Sequence, residues 1–262
     1  MKIDNKLIEN LIERYLPFGR DSVYDAMRYS LFSGGKRLRP VLLLEMAKAL
    51  GVYDENTQRL AVALEMVHTY SLIHDDLPCM DDDDFRRGKP SCHKQFGQAR
   101  AVLAGDCLLN CAMEVALAGS VDKNYLDSAK HLFECSGYKG MILGQSLDLF
   151  TNPTTVDQLV EIASGKTSAL FSAAIVCPAI YAGLEEYQIG LLKKIANLLG
   201  IAFQIADDLS DGEEKSFLAV LGKQKCIDLL NELLTNANML VNQLDFDAKI
   251  LVEFAKTIQK CI

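Results

Sequence analysis

The chain has 262 residues, of which 50% are hydrophobic and 24% charged, a composition that fits a folded globular protein and excludes disordered and fibrous classes. Its formal net charge of −8, from 27 basic and 35 acidic residues, argues against a general nucleic-acid or anionic-membrane binder. An anionic ligand would therefore have to meet a local cluster of basic side chains.

The beginning of the chain alternates charged and apolar residues at helical spacing, unlike a signal or transit peptide. The longest uncharged stretch, residues 167–184, contains hydroxyl side chains and a proline, which favours a buried core helix over a membrane span. We therefore expect a cytoplasmic protein with neither a membrane partner nor a nucleic-acid partner.

Eight cysteines are spread along the chain. They form no C-x-x-C pair and have no histidine beside them at a spacing typical of zinc ligands. This pattern argues against a cysteine-based zinc site and predicts reduced thiols in the core.

Apolar residues recur at helical spacing along most of the chain. The first stripes lie at 7–15, at 42–50 before a stop at Gly51, and at 60–75. Later ones cover 98–119, 125–147, 157–163, 167–183, 186–208, 216–232 and 234–260, with breaks at 152–155 and 183–186. Because no stretch of alternating β-branched residues competes, we predict an all-α, single-domain bundle of about ten helices over residues 1–262.

Carboxylates cluster where the apolar stripe at 60–75 ends. Asp75 and Asp76 precede Pro78, which should end the helix, and four more aspartates follow at 81–84. Carboxylates at the negative end of a helix dipole are unfavourable unless a cation is near. A solvated acidic loop would explain an isolated run of aspartates, but Arg86 and Arg87 follow at once. Acids that hold a hard cation beside guanidinium groups indicate a site for a metal-bound phosphate or diphosphate.

A second acidic cluster, Asp207, Asp208 and Asp211, ends another apolar helical stretch. Asp207 and Asp211 are four residues apart and share a face if the helix continues that far. An EF-hand loop is excluded because its third and twelfth positions would be Leu209 and Leu218. Two such clusters strengthen the metal interpretation.

Basic residues form separate islands. Residues 34–40, GGKRLRP, precede an apolar helix whose amino terminus could help to bind an anion. Gly165-Lys166-Thr167 ends like a phosphate-binding loop, but Val160 replaces the first glycine of that motif, so a nucleotide loop is not predicted. His68 lies about two helical turns before Asp75, where a structural histidine is the ordinary interpretation.

Together these motifs resemble the trans-isoprenyl diphosphate synthases, or polyprenyl synthetases, and most closely their bacterial short-chain farnesyl diphosphate branch. The matching segments are GGKRLRP at 34–40, the run from His68 to Pro90, LAGD at 103–106, GMILGQSLDL at 140–149, GKTSALF at 165–171 and FQIADDLSD at 203–211. The resemblance implies an isoprenoid synthase fold around a deep central cavity and a homodimer.

The resemblance also implies a role for each matching residue. Three Mg²⁺ ions, which Mn²⁺ can replace, would be held by Asp75, Asp81 and Asp207, with Asp76, Asp208 and Asp211 supporting them. The catalytic set would be Asp75, Asp76, Asp81, Arg86, Lys166 and Asp207. The allylic diphosphate would be bound by Arg86, Lys166, Thr167 and Gln204, and isopentenyl diphosphate by Gly35, Lys36, Arg39, His68 and Arg87.

The implied reaction condenses isopentenyl diphosphate with dimethylallyl or geranyl diphosphate through an allylic carbocation, to give farnesyl diphosphate. Tyr70, five residues before Asp75, would lie about 7.5 Å deeper along the helix and set product length. An ordinary buried core tyrosine is the alternative at this position, and geranylgeranyl diphosphate is the alternative product.

One departure from the family pattern follows Asp211, where the loop is shorter than usual. Lys215 lies in this loop and could replace a missing contact. A catalytically weak partner subunit is therefore a second hypothesis, although it leaves the retained aspartates unexplained. A terpene cyclase would have no use for Lys36, Arg39 and Arg87, and an ion buffer would explain none of the basic residues.

Overall fold

The structure is a computed structural model that describes residues 3–211 and 216–260, with Asp211 described by its backbone only. The helices in these residues are α1 (Asn5–Tyr15), α2 (Ser22–Leu31), α3 (Leu38–Ala49), α4 (Glu55–Asp75), α5 (Cys92–Phe96), α6 (Gln98–Leu117), α7 (Lys123–Ser136), α8 (Met141–Phe150), α9 (Val156–Ala163), α10 (Ala169–Tyr181), α11 (Glu186–Asp211), α12 (Phe217–Leu221), α13 (Lys223–Val241) and α14 (Lys249–Gln259). A π-helical turn, Ser164–Ser168, joins α9 to α10. The prediction of an all-α protein is confirmed.

The structure contains elements that the apolar pattern did not predict. A small hairpin pairs β1 (Phe85–Arg86) with β2 (Lys89–Pro90), and α5 and α12 are five residues long. Such elements are too short to show a periodic pattern. Helix α2 buries only Ala26, Met27 and Leu31, so its apolar face is narrow. The helix count therefore exceeds the predicted ten.

The predicted stretch at 125–147 is divided between α7 and α8. A Cβ atom on Gly140 would lie 2.0 Å from the carbonyl oxygen of Cys135, so only glycine fits where the chain turns. The amide of Gly140 donates to the carbonyl of Gly137 over 3.0 Å, which closes the turn. Glycine at these two positions thus ends one helix and begins the next.

The chain forms two compact units. We call Ile3–Val41 together with Asp54–Val121 the first-aspartate unit, because it carries Asp75. The second-aspartate unit contains Leu42–Tyr53 and the described residues from Asp122 onward, including Asp207. The single domain over residues 1–262 stays a prediction.

Helix α4 is the central element of the first-aspartate unit and packs mainly against α6. Its start is fixed by a capping box, in which Asp54 accepts from the amide of Thr57 and the Thr57 hydroxyl group bonds to the amide of Asp54. Twelve residues are buried around its circumference. A helix that is apolar on all sides belongs in a core. Packing on all sides of α4 therefore fixes the position of its last turn, which carries Asp75.

In the second-aspartate unit, α10 packs against α7 and α11, and α11 also packs against α13. The ring of Phe171 lies 5.2 Å from the ring of Phe203 and 5.2 Å from that of Phe254, which joins three helices in one aromatic cluster. Gly200 allows α11 to approach the π-helical turn, because a Cβ atom there would lie 2.3 Å from Ser168 Oγ. These contacts fix the end of α11 that carries Asp207.

Two helical segments, Val156–Tyr181 and Glu186–Ser210, reach the length and hydropathy of a membrane span. Most of each apolar window is buried inside the protein, 61% in the first and 56% in the second. Core helices of a protein outside the membrane also have these properties, so the evidence for a membrane span is weak. The expected burial of residues 167–184 is confirmed for most of α10.

Four of the seven described cysteines are buried, as expected: Cys92, Cys135, Cys177 and Cys226. All seven are free thiols. Cys79 is exposed, and Cys107 and Cys111 are partly exposed on α6. The prediction of core thiols is therefore wrong for these three, whose neighbours in sequence are polar or lie on a helix surface.

Candidate functional site

The loop after α4 folds back onto the end of that helix. The amide of Asp81 donates to the carbonyl of Asp75 over 2.9 Å, and the amide of Asp82 donates to the carbonyl of Leu77 over 3.1 Å. Asp82 takes a left-handed conformation with φ 54°, which this reversal requires. Asp75 and Asp81, six residues apart in sequence, are thereby held at the same helix end.

Asp76 is buried and paired with Arg86. The guanidinium group donates to Asp76 Oδ1 through Nε over 2.8 Å and through Nη2, and it also reaches Asp83 Oδ2 at 2.7 Å. Burial raises the pKa of Asp76, and the hydrogen bonds from Arg86 oppose that rise. Arg86 thus neutralises Asp76 and ties it to the loop, which suits the supporting role predicted for this carboxylate.

Arg87 connects the hairpin with the GGKRLRP segment. Its Nη1 donates to the carbonyl of Gly34, and a Cβ atom on Gly35 would lie 2.6 Å from the Arg87 Cζ atom. Gly34 and Gly35 have φ angles of 94° and 120°, a region that side chains rarely enter. Gly35 is therefore required both by its backbone conformation and by the close approach of the guanidinium group. Lys36, the next residue, is exposed.

Arg37 forms a buried ion pair that the motif analysis did not single out. Its side chain is fully buried, pairs with Glu65 of α4 and donates to the carbonyl of Leu31. With φ 49°, Arg37 is left-handed and turns its side chain inward, away from its exposed neighbour Lys36. A run of charged residues such as the one around Arg37 usually indicates a solvated surface. The sequence signal for the buried ion pair was therefore Glu65, an acidic residue within an otherwise apolar stretch.

His68 is half-buried among guanidinium groups. Burial lowers the pKa of His68 well below its usual value, and four nearby arginines lower it further: Arg39, Arg87, Arg37 and Arg86. The imidazole is therefore neutral at physiological pH. Burial also lowers the pKa of Arg87, and repulsion from Arg37 and Arg86 adds to that effect against the attraction of Glu65. Cations crowded in this way favour a bound anion.

Tyr70 is buried, with 6% of its surface exposed. Its ring meets that of His74 edge to face at 5.9 Å, and Met66, one turn earlier on α4, is fully buried. Burial, together with the nearby charge of Asp75, raises the pKa of Tyr70 to about 12. The position fits the predicted place behind Asp75, and its role in product length stays a prediction.

The second-aspartate unit contains a continuous chain of hydrogen bonds. Thr167 Oγ1 donates to Gln204 Oε1 over 2.6 Å, and Gln204 Nε2 donates to Asp208 Oδ1 over 2.9 Å. The other carboxylate oxygen of Asp208 accepts from the amide of Phe217 over 2.7 Å. These hydrogen bonds orient Gln204 and hold the buried Asp208. Asp207, on a different face of α11, is half-buried.

Lys166 pairs with Asp148 of α8. The π-helical turn that carries Lys166 contacts α8 closely, because a Cβ atom on Gly144 would lie 1.9 Å from the amide nitrogen of Lys166. A π-turn inserts one residue into a helix and often marks a functional site. Lys166, Asp148, Gln204 and Asp208 line a small cavity of about 50 Å³ in this unit.

Two residues of the GQSLDL motif have surroundings that the sequence did not predict. Asp148 is the partner of Lys166. Gln145 is buried, and its amide group has no hydrogen-bond partner among the described residues. The sequence signal for both residues was their place in a segment that matches the family pattern. The Asp211 side chain, Lys215 and the shortened loop lie outside the described residues.

The predicted metal ligands fit a hard divalent cation by their chemistry. Asp75 and Asp81 supply carboxylates at the negative end of α4, and Asp207 supplies one near the end of α11. Asp75 and Asp207 are half-buried and Asp81 is exposed, so each can be reached by solvent and ions. Asp75 and Asp81 could bind Mg²⁺ in the first-aspartate unit, and Asp207 could bind it in the second-aspartate unit.

Comparisons with known proteins by family model, by sequence and by structure all point to the same family. The polyprenyl synthetase family model matches residues 20–258. The farnesyl diphosphate synthase of Bacillus subtilis is 39% identical over 249 residues, covering 90% of this chain and 81% of its own. The large subunit 1 of the Arabidopsis thaliana heterodimeric geranylgeranyl pyrophosphate synthase is 40% identical over 241 residues, covering 88% of this chain.

A solved structure described as an apo FPP/GFPP synthase from Zymomonas mobilis matches with a TM-score of 0.86 and 35% identity, over 97% of this chain and 93% of its own. The chain spans 64% of the length of the Arabidopsis relative. The family model matches most of the sequence and the helical fold agrees with the solved structure, so the chain belongs to the polyprenyl synthetase family.

Proposed function

We propose that the chain is a Mg²⁺-dependent short-chain prenyltransferase that joins isopentenyl diphosphate to an allylic diphosphate. The observation that carries this proposal is the crowding of Arg39 and Arg87 near the neutral His68, beside Arg37 and Arg86, which have carboxylate partners of their own. Their repulsion would be relieved by an anion such as a diphosphate. Carboxylates at the ends of α4 and α11 would bind the Mg²⁺ that such a reaction needs.

In this proposal, Gly35, Lys36, Arg39, His68 and Arg87 bind isopentenyl diphosphate. Arg87 approaches the backbone at Gly34 and Gly35, so the guanidinium group and the loop would meet the same anion. Neutral His68 would donate one ring N–H to a diphosphate oxygen without adding to the cation repulsion. These contacts would hold the diphosphate that stays attached to the product.

Arg86, Lys166, Thr167 and Gln204 would bind the allylic diphosphate. Asp75, Asp81 and Asp207 would hold Mg²⁺, which when bound neutralises the charge that develops on the departing diphosphate. Asp76 and Asp208 would keep their neighbours oriented, through Arg86 in one unit and Gln204 in the other. Binding three ions, and exchange with Mn²⁺, belong to the same proposal.

The allylic carbon–oxygen bond breaks with its electron pair on diphosphate, and the isopentenyl double bond attacks the resulting carbocation. Loss of a proton to the released diphosphate completes the product, so no protein nucleophile is needed. The chain's contribution is to position the two substrates and to exclude water.

We infer farnesyl diphosphate as the product. Tyr70 and Met66 are both buried on α4 behind Asp75, where they would limit the growing chain. Relatives named as farnesyl and as geranylgeranyl synthases have similar identity to this chain, so geranylgeranyl diphosphate is the second candidate. We also propose that the chain is a single domain, is cytoplasmic and forms a homodimer. The alternative is a catalytically weak subunit that pairs with an active one, because one relative is a subunit of a heterodimeric enzyme.

Incubation with isopentenyl and geranyl diphosphates, with Mg²⁺ or with EDTA, tests the proposal. We expect fifteen-carbon diphosphate with Mg²⁺ and none with EDTA. The variant Lys36→Ala should need more isopentenyl diphosphate, whereas Lys6→Ala, on the surface of α1, should behave as the wild type. Metal-independent turnover, or no product with any allylic substrate, would contradict the proposal.

A further inference from the structure

We propose a separate transition-metal site formed by Asp82, Asp84 and His93 in the first-aspartate unit. One ligand atom from each of these residues lies within 4.8 Å of the other two. None of the three is among the residues assigned above to substrate or to Mg²⁺. The site is independent of the proposed reaction.

The backbone brings the three residues together. The hairpin of β1 and β2 returns the chain to Asp84, whose carbonyl accepts from the amide of Ser91 over 2.9 Å. His93 follows two residues later, in α5. On the other side, the left-handed turn at Asp82 directs the loop back after Asp81. The hairpin and the turn therefore fix the backbone that carries the three side chains.

His93 supplies the observation that points to a ligand. Its side chain is buried, with 5% of the residue exposed, and Nδ1 lies 3.0 Å from Ser91 Oγ. The other ring nitrogen, Nε2, is buried and has no hydrogen-bond partner in the described part of the chain. A buried polar atom left without a partner destabilises the fold. A metal ion bonded to Nε2, with Ser91 orienting Nδ1, would satisfy both nitrogens.

The ligand chemistry selects the kind of ion. Mg²⁺ and Ca²⁺ prefer oxygen ligands only, whereas one imidazole with two carboxylates suits Zn²⁺, Mn²⁺ or Co²⁺. Ligands of one such ion are roughly 3–4.4 Å apart, so small side-chain movements would close the site. Lys94 Nζ holds Asp84 Oδ1 at 2.6 Å and would compete with the metal for that oxygen. An ion bound here would fix the loop after Asp81 against α5.

Calorimetric titration of the full chain with Co²⁺, in excess Mg²⁺ to fill all-oxygen sites, tests the proposal. We expect one Co²⁺ per chain, with affinity at least about tenfold weaker in Asp82→Asn and in Asp84→Asn. Both aspartates are exposed, so these variants should fold even if His93→Gln does not. Lys94→Met should bind Co²⁺ more tightly because the competing ammonium group is gone.

Two controls separate this site from its neighbours. Cys79→Ser removes an exposed thiol nearby in sequence, and Asp75→Asn removes a predicted Mg²⁺ ligand; neither should change Co²⁺ affinity. Unchanged affinity in both Asp82→Asn and Asp84→Asn would overturn the proposal. Loss of binding in Cys79→Ser, or unchanged affinity in Lys94→Met, would contradict this set of ligands.

Discussion

The surroundings of Asp75 and of Asp207 differ in how their charges are balanced. In the first-aspartate unit, guanidinium groups crowd His68 and lower the pKa of Arg87. In the second-aspartate unit, Lys166 is paired with Asp148, and Asp208 accepts from Gln204 and the amide of Phe217. In the first region Arg37 and Arg86 have carboxylate partners, yet the guanidinium groups still repel Arg87 and disfavour a charged His68. In the second region the polar groups satisfy one another.

This difference shows how one family fold could treat two diphosphates differently. Crowded cations attract an anion directly, because binding relieves their repulsion. Near Asp207, carboxylates outnumber the single cation Lys166 in the hydrogen-bonded chain and its cavity, so an anion would require a metal ion. We therefore expect metal-free diphosphate binding in the first region and metal-dependent binding in the second.

Loss of a predicted metal ligand should have the largest effect. Asp75→Ala or Asp207→Ala should lower turnover by roughly 10²-fold or more, since charge on the departing diphosphate would no longer be neutralised. The unfolding midpoint should not fall, because less like-charge repulsion remains. Steady-state assays and thermal unfolding measure the two effects. Asp127→Asn, at a partly exposed residue of α7, is the control, and near-normal turnover in either alanine variant would refute the metal assignment.

Removal of the buried charge Arg37 should affect stability more than removal of Lys166. Arg37→Met leaves Glu65 buried without its partner and should lower the free energy of unfolding by about 3–5 kcal/mol. Lys166→Met should cost less, because Lys166 and Asp148 are both partly exposed. Urea denaturation compares them. Recovery of most of the loss in Arg37→Met/Glu65→Leu would establish that the unpaired charge is the cause, and equal losses in the two single variants would contradict it.

Substrate affinities should separate the two regions kinetically. Arg87→Ala should raise the KM for isopentenyl diphosphate, because loss of one charge-assisted contact costs roughly 1.5–3 kcal/mol at its own site. Lys166→Ala should raise the KM for the allylic substrate instead. Initial rates with each substrate varied in turn measure the bias. Equal effects on both substrates would show that the division is wrong.

Tyr70→Ala should lengthen the product to twenty carbons or more and destabilise the fold by about 2–4 kcal/mol through the cavity that it leaves. Chromatography of the dephosphorylated products measures chain length. Tyr125→Ala removes another buried tyrosine, in the other unit, and should destabilise the fold without lengthening the product. A folded, active Tyr70→Ala that still stops at fifteen carbons would exclude Tyr70 as the limit.

The smallest effect concerns pH. Because the pKa of His68 is lowered on folding, the unfolded chain binds more protons below about pH 6.5, and stability should fall as the pH is lowered, by on the order of 1 kcal/mol per pH unit. His131, whose pKa is lowered to about 4 mainly by burial, should contribute in the same direction. His68→Gln should have a shallower stability loss from pH 6.5 to 5.5 in urea denaturation. An unchanged slope would contradict a neutral His68.

The sequence predicted the elements that follow from periodicity and from chain breakers. Helix α4 ends at Asp75 before Pro78, and Gly51, with φ 73°, follows the end of α3, as expected. Left-handed turns at Arg37, Asp82 and Arg87 were not predictable, since these residues seldom adopt such a conformation. The Arg37–Glu65 pair depends on that turn, so it could be found only in the folded chain.

Calorimetric titration with inorganic pyrophosphate tests the central difference most directly. In EDTA, we expect one binding site, which is weakened in Arg87→Met and unchanged in Asp207→Asn. With Mg²⁺, a second site should appear and should be lost in Asp207→Asn. Absence of binding in EDTA, or loss of the metal-free site in Asp207→Asn, would contradict the account.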